Sequence, residues 1–173
     1  MNRKYSRAQY LEIVQQIRAD MPGAAITTDI IVGFPGETGA DFQTTLDVLQ
    51  AARFDGVFSF VYSPRAQTEA ASYPDQISSG EKSARIQELV RLQKTILAQK
   101  NRQLVGATVE VLVDGVSKKS SVSLCGKTRT NKTVNFRGES GLIGNFAHVA
   151  ITEGRAHSLS GRLLGSEKSS GAR

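Results

Sequence analysis

The sequence predicts an α/β unit built on parallel strands, followed by a small all-β barrel of the OB type. Three observations lead there. Residues 24–62 alternate strand-like and helix-like hydrophobic periods, the pattern of a βαβ unit. After Gly106 the chain breaks into short β-prone segments separated by Gly, Asn and Ser. The charge divides at the same place: residues 1–103 carry 12 Lys/Arg against 11 Asp/Glu, and residues 104–173 carry 10 against 5. The net charge of +6 therefore sits almost wholly in the second unit. Such a surface either meets a polyanion or is a basic, solvated face.

The first element is a helix from Ser6, read from "SRAQYLEIVQQIRAD". Ser6 and Gln9 have the spacing of a capping box, and Tyr10, Ile13, Val14 and Ile17 recur at helical spacing. Pro22-Gly23 stops it. "AAITTDIIV", 24–32, is β-branched and nearly continuous in apolarity, as in a strand covered on both faces. The loop "GFPGET" leads to a second helix with Phe42, Leu46 and Leu49 on one face and Thr38 and Asp41 as its cap. "GVFSFVY", 56–62, is the second strand. After a loop of small and polar residues comes the longest helix, whose Ile86, Leu89, Val90, Leu92 and Ile96 are expected to dock on the sheet. "TVEVLV" then alternates and meets Asp114-Gly115, a hairpin-turn signal. Further strands are expected around 121–125, 132–136, 145–152 and 157–164. About sixty residues fit a five-stranded barrel, an architecture that commonly binds oligonucleotides. "SEKSSGAR" reads as a tail.

Composition narrows the chemistry. Cys125 is the single cysteine, so this chain builds no disulfide and no site of several thiolates. No apolar run approaches the roughly 18 residues that cross a bilayer. The basic N-terminus has no apolar stretch behind it, which predicts a cytoplasmic location.

The loop after the first strand is the candidate site. Ligands of parallel α/β folds gather at the carboxyl ends of the strands, where helix N-termini and backbone N–H groups point. Gly33 and Gly36 permit positive φ or close approach, and Pro35 stiffens the bend. The P-loop pattern G-x-x-x-x-G-K-S/T is absent, and so is G-x-G-x-x-G. The loop is thus either a cradle for a nucleotide-like or carboxylate-bearing ligand or a structural strand-to-helix turn. Asp29, a carboxylate in an apolar strand, either meets a ligand or pairs within the fold. Tyr62 and Arg65 fall on the same edge as Gly33, and Arg65 is either an anion ligand or a surface arginine.

"TTDIIVGFPGET", "FDGVFSFVYSPRAQTEAA", "LQKTILAQKNRQLVG" and "VSKKSSVSLCGKTRTNKTVNF" together resemble the C-terminal half of the radical S-adenosylmethionine methylthiotransferases, over roughly residues 1–165. The match is to the MiaB type, which adds a methylthio group to isopentenyl-adenosine beside the tRNA anticodon. The resemblance implies that residues 1–103 are the C-terminal part of the radical (β/α) barrel, with 24–32 and 56–62 as its fifth and sixth strands. Residues 104–165 would be a TRAM-like RNA-binding barrel and 166–173 a flexible tail. It implies that Ile31, Val32, Gly33 and Phe34 contact the adenosyl part of S-adenosylmethionine; Asp29, Tyr62 and Arg65, singled out by their places on the strands, complete the expected cofactor-binding set. It implies tRNA backbone contacts from Lys118, Lys119, Lys127, Arg129, Lys132 and Arg137. Thr128, Asn131 and Asn135 would add hydrogen bonds to phosphate, sugar or base edges.

Members of that family use S-adenosylmethionine and two 4Fe–4S clusters, and their cluster-binding cysteines have no counterpart in this sequence. The chain is therefore expected to be a fragment, inactive as a methylthiotransferase on its own, with the anticodon stem-loop and the family's N-terminal portion as partners. Two other readings stand beside this one. One is a non-catalytic RNA-binding module. The other is a fragment of a related methylthiotransferase acting on a ribosomal protein or on threonylcarbamoyl-adenosine. Two parallel strands leave an open edge, so the β unit is expected to be the more autonomous, with a proteolytic core beginning near residue 104.

Overall fold

A computed structural model describes residues 4–117 and 123–167. The chain divides into two compact units, Met1–Ile96 and Leu97–Arg173.

The first unit contains α1 (Arg7–Asp20), β1 (Thr27–Val32), α2 (Gly39–Ala52), β2 (Gly56–Val61) and most of α3 (Ser79–Arg102). Both expected capping boxes form: Ser6 with Gln9 on α1, and Thr38 with Asp41 on α2. Arg53 closes α2 in the left-handed region at φ 46°. β1 and β2 pair in parallel, in register from Thr27 with Gly56 to Val32 with Val61. Helix side chains Val14, Phe42, Leu46, Leu49, Leu89 and Ile96 bury themselves around Val32, Ile30 and Val57.

β1 is not the doubly covered strand that its composition predicts. It starts at Thr27, and Thr27, Asp29 and Ile31 are exposed on alternate positions. Phe58 and Phe60, the register partners of Asp29 and Ile31, are 62% and 52% exposed. The helical core gathers on the other face, around Ile30, Val32 and Val57. The stripe of α3 is also displaced from expectation: Val90 is exposed, while Arg85 and Gln93 are buried beside Leu89 and Ile96. The buried Gln93 amide donates from Nε2 to the carbonyl of Phe54 at 3.1 Å.

The second unit is a closed five-stranded barrel. Its strands are β3 (Thr108–Val116), β4 (Ser123–Thr128), β5 (Thr133–Arg137), β6 (Phe146–Gly154) and β7 (Leu159–Glu167), ordered β3-β4-β5-β7-β6. All neighbours are antiparallel except β5 and β7. Val111, Val113, Leu124, Val134, Phe136, Val149 and Leu159 fill the interior. Asp114-Gly115 is not a hairpin turn. β3 runs through it to Val116, with a bulge between Val113, which faces Gly126, and Gly115, which faces Cys125. β7 reaches Glu167, two residues into the stretch expected to be tail. Close approach explains two barrel glycines: a Cβ on Gly126 would lie 2.2 Å from the carbonyl oxygen of Leu112, and one on Gly154 2.3 Å from that of Asn101.

Candidate functional site

The loop after β1 turns on two glycines at positive φ, Gly33 at 72° and Gly36 at 79°. Residues 34–37 fit a type II turn, with Pro35 and Gly36 in its centre and Glu37 N–H donating to the Phe34 carbonyl at 2.9 Å. Gly33 is pressed under α3, since a Cβ there would come within 2.4 Å of Lys82 Cγ.

The loop's polar donors are turned inward. Gly33 N–H donates to Glu37 Oε2 at 2.6 Å, and Gly36 N–H to the carbonyl of Asp75 at 2.8 Å. The start of α2 is closed by its own carboxylate: Asp41 accepts from Thr38 N–H at 2.9 Å and from Thr38 Oγ1 at 2.6 Å. The Thr38 hydroxyl, then the Thr38 amide and the charge of Arg85, hold the Asp41 carboxyl below its ordinary range. The positive end of α2 is thereby matched from within the chain, and the backbone cradle for a carboxylate or phosphate that the loop pattern suggests is not formed by these donors.

What lies open at this edge is aromatic. A cleft of about 400 Å³ runs along the C-terminal ends of β1 and β2, lined by Ile31, Phe34, Tyr62, Arg65, Thr68 and Ala70 among others. Phe34 meets Tyr62 edge-on at 5.2 Å and Tyr73 at 6.3 Å. The Tyr62 hydroxyl is buried with no hydrogen-bond partner among the described residues. Thr68 fixes the Arg65 turn by donating from Oγ1 to the Arg65 carbonyl at 2.8 Å.

Four of the seven expected cofactor residues thus come together in one cleft: Ile31, Phe34, Tyr62 and Arg65. Val32 is fully buried, so its side chain belongs to the core and its carbonyl accepts from Tyr62 N–H at 2.9 Å. Gly33 shapes the loop and its amide is already bonded. Asp29 is exposed in mid-strand and borders a second cleft of about 320 Å³ beside Tyr10, Thr28 and Thr44. Sequence reading missed Glu37 and Arg85, whose contact spans 48 residues.

On the barrel, Lys127, Asn135 and Arg137 alternate with buried positions of β4 and β5 and so point outward. Several of the expected tRNA contacts are engaged within the chain. Lys127 Nζ donates to Thr133 Oγ1 at 2.9 Å, and Arg129 Nε to Glu110 Oε1 at 2.8 Å. Lys132 Nζ donates to Asn101 Oδ1 at 3.0 Å, and Asn135 Oδ1 accepts from Ser117 Oγ at 3.0 Å. Thr128 and Asn131 build the β4–β5 turn: Lys132 N–H donates to Thr128 Oγ1 at 3.1 Å, and Asn131 sits at φ 60°. Arg137 is exposed, and its side chain makes no hydrogen bond or ion pair to another described residue. The parallel pairing of β5 and β7 ends at Phe136 with Gly161, and Arg137 and the exposed Arg162, a residue the sequence did not single out, each follow that last pair. Lys118 and Lys119 lie outside the described residues.

Among the described residues no cluster of three or more His, Cys, Asp or Glu side chains could hold a metal ion, and no helix is long and apolar enough to cross a membrane. Cys125 faces outward on β4, in the position opposite Asn135.

Comparison with known proteins adds the family. Residues 102–164 match the TRAM domain. Over 164 residues, 95% of this chain, the sequence is 49% identical to the tRNA-2-methylthio-N(6)-dimethylallyladenosine synthase of Thermoanaerobacter sp. (strain X514). It is 47% identical to the protein of that name from Natranaerobius thermophilus and 46% to that from Moorella thermoacetica, again over 95% of the chain. The chain spans 35–37% of the length of these relatives. It is homologous to the C-terminal part of the MiaB-type tRNA methylthiotransferases, and its β-barrel is a TRAM domain.

Proposed function

We propose that this chain serves as the C-terminal part of a cytoplasmic tRNA-2-methylthio-N6-dimethylallyladenosine synthase, the activity for which its relatives are named. Its first unit would hold the adenosyl part of S-adenosylmethionine, and its TRAM domain would grip the anticodon stem-loop whose isopentenyl-adenosine is modified. The observation that carries this reading is the cleft at the C-terminal ends of β1 and β2. Phe34, Tyr62 and Ile31 offer the aromatic and apolar walls on which an adenine ring rests. The buried Tyr62 hydroxyl lacks a partner among the described residues, so a ligand heteroatom or a water would satisfy it. Arg65 supplies a planar fork of donors for the carboxylate of the methionyl part. S-Adenosylmethionine, when bound, supplies the group chemistry of the family's reaction; the residues of this chain bind and orient it.

The residues do not fit an iron–sulfur cluster. One thiolate cannot hold a 4Fe–4S core, and Cys125 stands on a strand of the barrel. No step through a cluster is assigned to this chain.

On the barrel, Arg137, Arg162 and Lys127 form a basic outer strip that would follow the phosphate backbone, with Asn135 between them for a polar contact. A titration of the full chain with S-adenosylhomocysteine, followed by NMR, tests the cleft. Shifts are expected at Ile31, Phe34, Tyr62 and Arg65. Shifts confined to the barrel, or none at millimolar ligand, overturn the reading.

A further inference from the structure

The start of α3 reaches both loops that wall the cleft. Arg85 is 6% exposed, unusual for an arginine. Its Nη1 donates to the Glu37 carbonyl at 2.9 Å and to Glu37 Oε2 at 2.5 Å, and its Nη2 pairs with Glu81. The guanidinium also lies over the Phe42 ring at 5.6 Å. The Glu37 carboxylate that it holds is the acceptor of the Gly33 amide. A chain of contacts therefore runs from Arg85 through Glu37 to Gly33, the residue before Phe34. Three residues earlier on the same helix, Lys82 lays its stem across Gly33 and donates from Nζ to the Tyr62 carbonyl at 3.3 Å. Its ammonium stands 5.2 Å from the centre of the Tyr62 ring.

A buried guanidinium is a poor source of bulk stability, because an apolar side chain of similar volume fills such space with no charge to desolvate. Arginine contributes direction: its fork fixes the Glu37 carboxylate and carbonyl together, which methionine or leucine cannot do. Neither Arg85 nor Lys82 is among the residues lining the cleft.

We propose that Arg85 and Lys82 are positioning residues of the adenosyl cleft: Arg85, acting through Glu37, sets Gly33 and the Phe34 wall, and Lys82 sets the Tyr62 wall. The inference rests on the reading of the cleft as an adenosyl site. α3 is then a clip that holds the loops after β1 and β2 at the separation that a flat ring requires.

The test uses the full chain and S-adenosylhomocysteine as probe, with Arg85→Lys, Lys82→Met and Glu37→Gln. Leu92→Ala, which weakens the same helix in the core away from the cleft, serves as the structural control. Two readouts are taken: probe affinity, and the NMR shift of the Gly33 amide proton, which needs no ligand. Arg85→Lys and Lys82→Met are expected to stay folded and to lose about tenfold in affinity, the scale on which groups that orient direct contacts act. Leu92→Ala should lower the melting temperature and leave affinity unchanged. Arg85→Lys and Glu37→Gln should move the Gly33 amide proton upfield, and Leu92→Ala should not. Unchanged affinity in Arg85→Lys and Lys82→Met overturns the proposal, as does an equal loss in Leu92→Ala. An unmoved Gly33 amide in Glu37→Gln overturns the Arg85–Glu37–Gly33 route. A wild-type chain that fails to bind the probe overturns the reading of the cleft, while the Gly33 signal still decides whether the clip exists.

Discussion

Asn101 joins the end of α3 to the barrel: its Oδ1 accepts from Lys132 Nζ at 3.0 Å, and its Nδ2 donates to the Arg155 carbonyl at 2.6 Å. At 4% exposure it is a buried polar group with both ends of its amide bonded. Asn101→Leu would remove the hydrogen bonds to the Arg155 carbonyl and from Lys132 Nζ, at a cost of about 1 kcal/mol for each bond lost. Urea unfolding of the barrel unit should lose that much free energy, seen as a lower midpoint at unchanged slope. The same contacts make the last turns of α3 part of the barrel. Limited proteolysis should leave a core that starts near Leu97 and retains Asn101, where the sequence alone placed its start near residue 104. A core that begins after Asn101 and unfolds at the full-length midpoint would contradict this.

Gly126 gives a second stability prediction. A Cβ there meets the Leu112 carbonyl oxygen at 2.2 Å and Val111 Cγ1 at 2.6 Å, on the neighbouring strand of the closed barrel. Backbone cannot give way without opening the β3–β4 pairing. Gly126→Ala should cost about 1–3 kcal/mol as an overpacking substitution. Gly141→Ala, with open space at that position, should change the melting temperature little.

Asp41 gives a pH prediction. Its bonds from Thr38 hold its folded pKa below the unfolded value. As pH falls, the unfolded chain takes up this proton before the folded chain does, so acid favours unfolding. The contribution of the cap is fully present above the ordinary carboxylate pKa and is lost as pH falls through the depressed folded value. Thr38→Val removes the hydroxyl donor, the largest cause, and should bring the Asp41 titration, followed by carboxyl-carbon NMR, back toward its ordinary range. An Asp41 titration that stays put would show that the hydroxyl is not the cause.

The legible parts of this molecule are those governed by neighbours in sequence. Ser6 with Gln9 and Thr38 with Asp41 were readable because a capping box closes within four residues. Tyr62 and Arg65 were readable beside Gly33 because parallel strands present their carboxyl ends together, whereas Ile31 and Phe34 came from the family resemblance. Asp114-Gly115 misled because an Asp-Gly pair suits a hairpin turn as well as a bulge, and the partner strand decides between them. Val90 misled because the buried stripe of α3 includes Arg85 and Gln93, which a purely apolar period skips. Arg162 was invisible because only the parallel β5–β7 pairing, which ends at Phe136 with Gly161, puts its stretch of β7 beside the end of β5.

That pairing separates engaged from available cations. Arg129 is paired with Glu110, whereas the side chains of Arg137 and Arg162 have no ion pair or hydrogen bond among the described residues. Reversing both, Arg137→Glu with Arg162→Glu, should weaken stem-loop binding across sequences. The salt slope should fall by about one for each phosphate that is no longer neutralised. Arg129→Glu should have the smaller effect.

The most direct measurement is binding of the full chain to a tRNA anticodon stem-loop at two salt concentrations. Binding should fall steeply as salt rises, with a slope that the double reversal of Arg137 and Arg162 reduces. Binding that is independent of salt, or that survives the double reversal unchanged, would contradict the assignment of this barrel face to the RNA backbone.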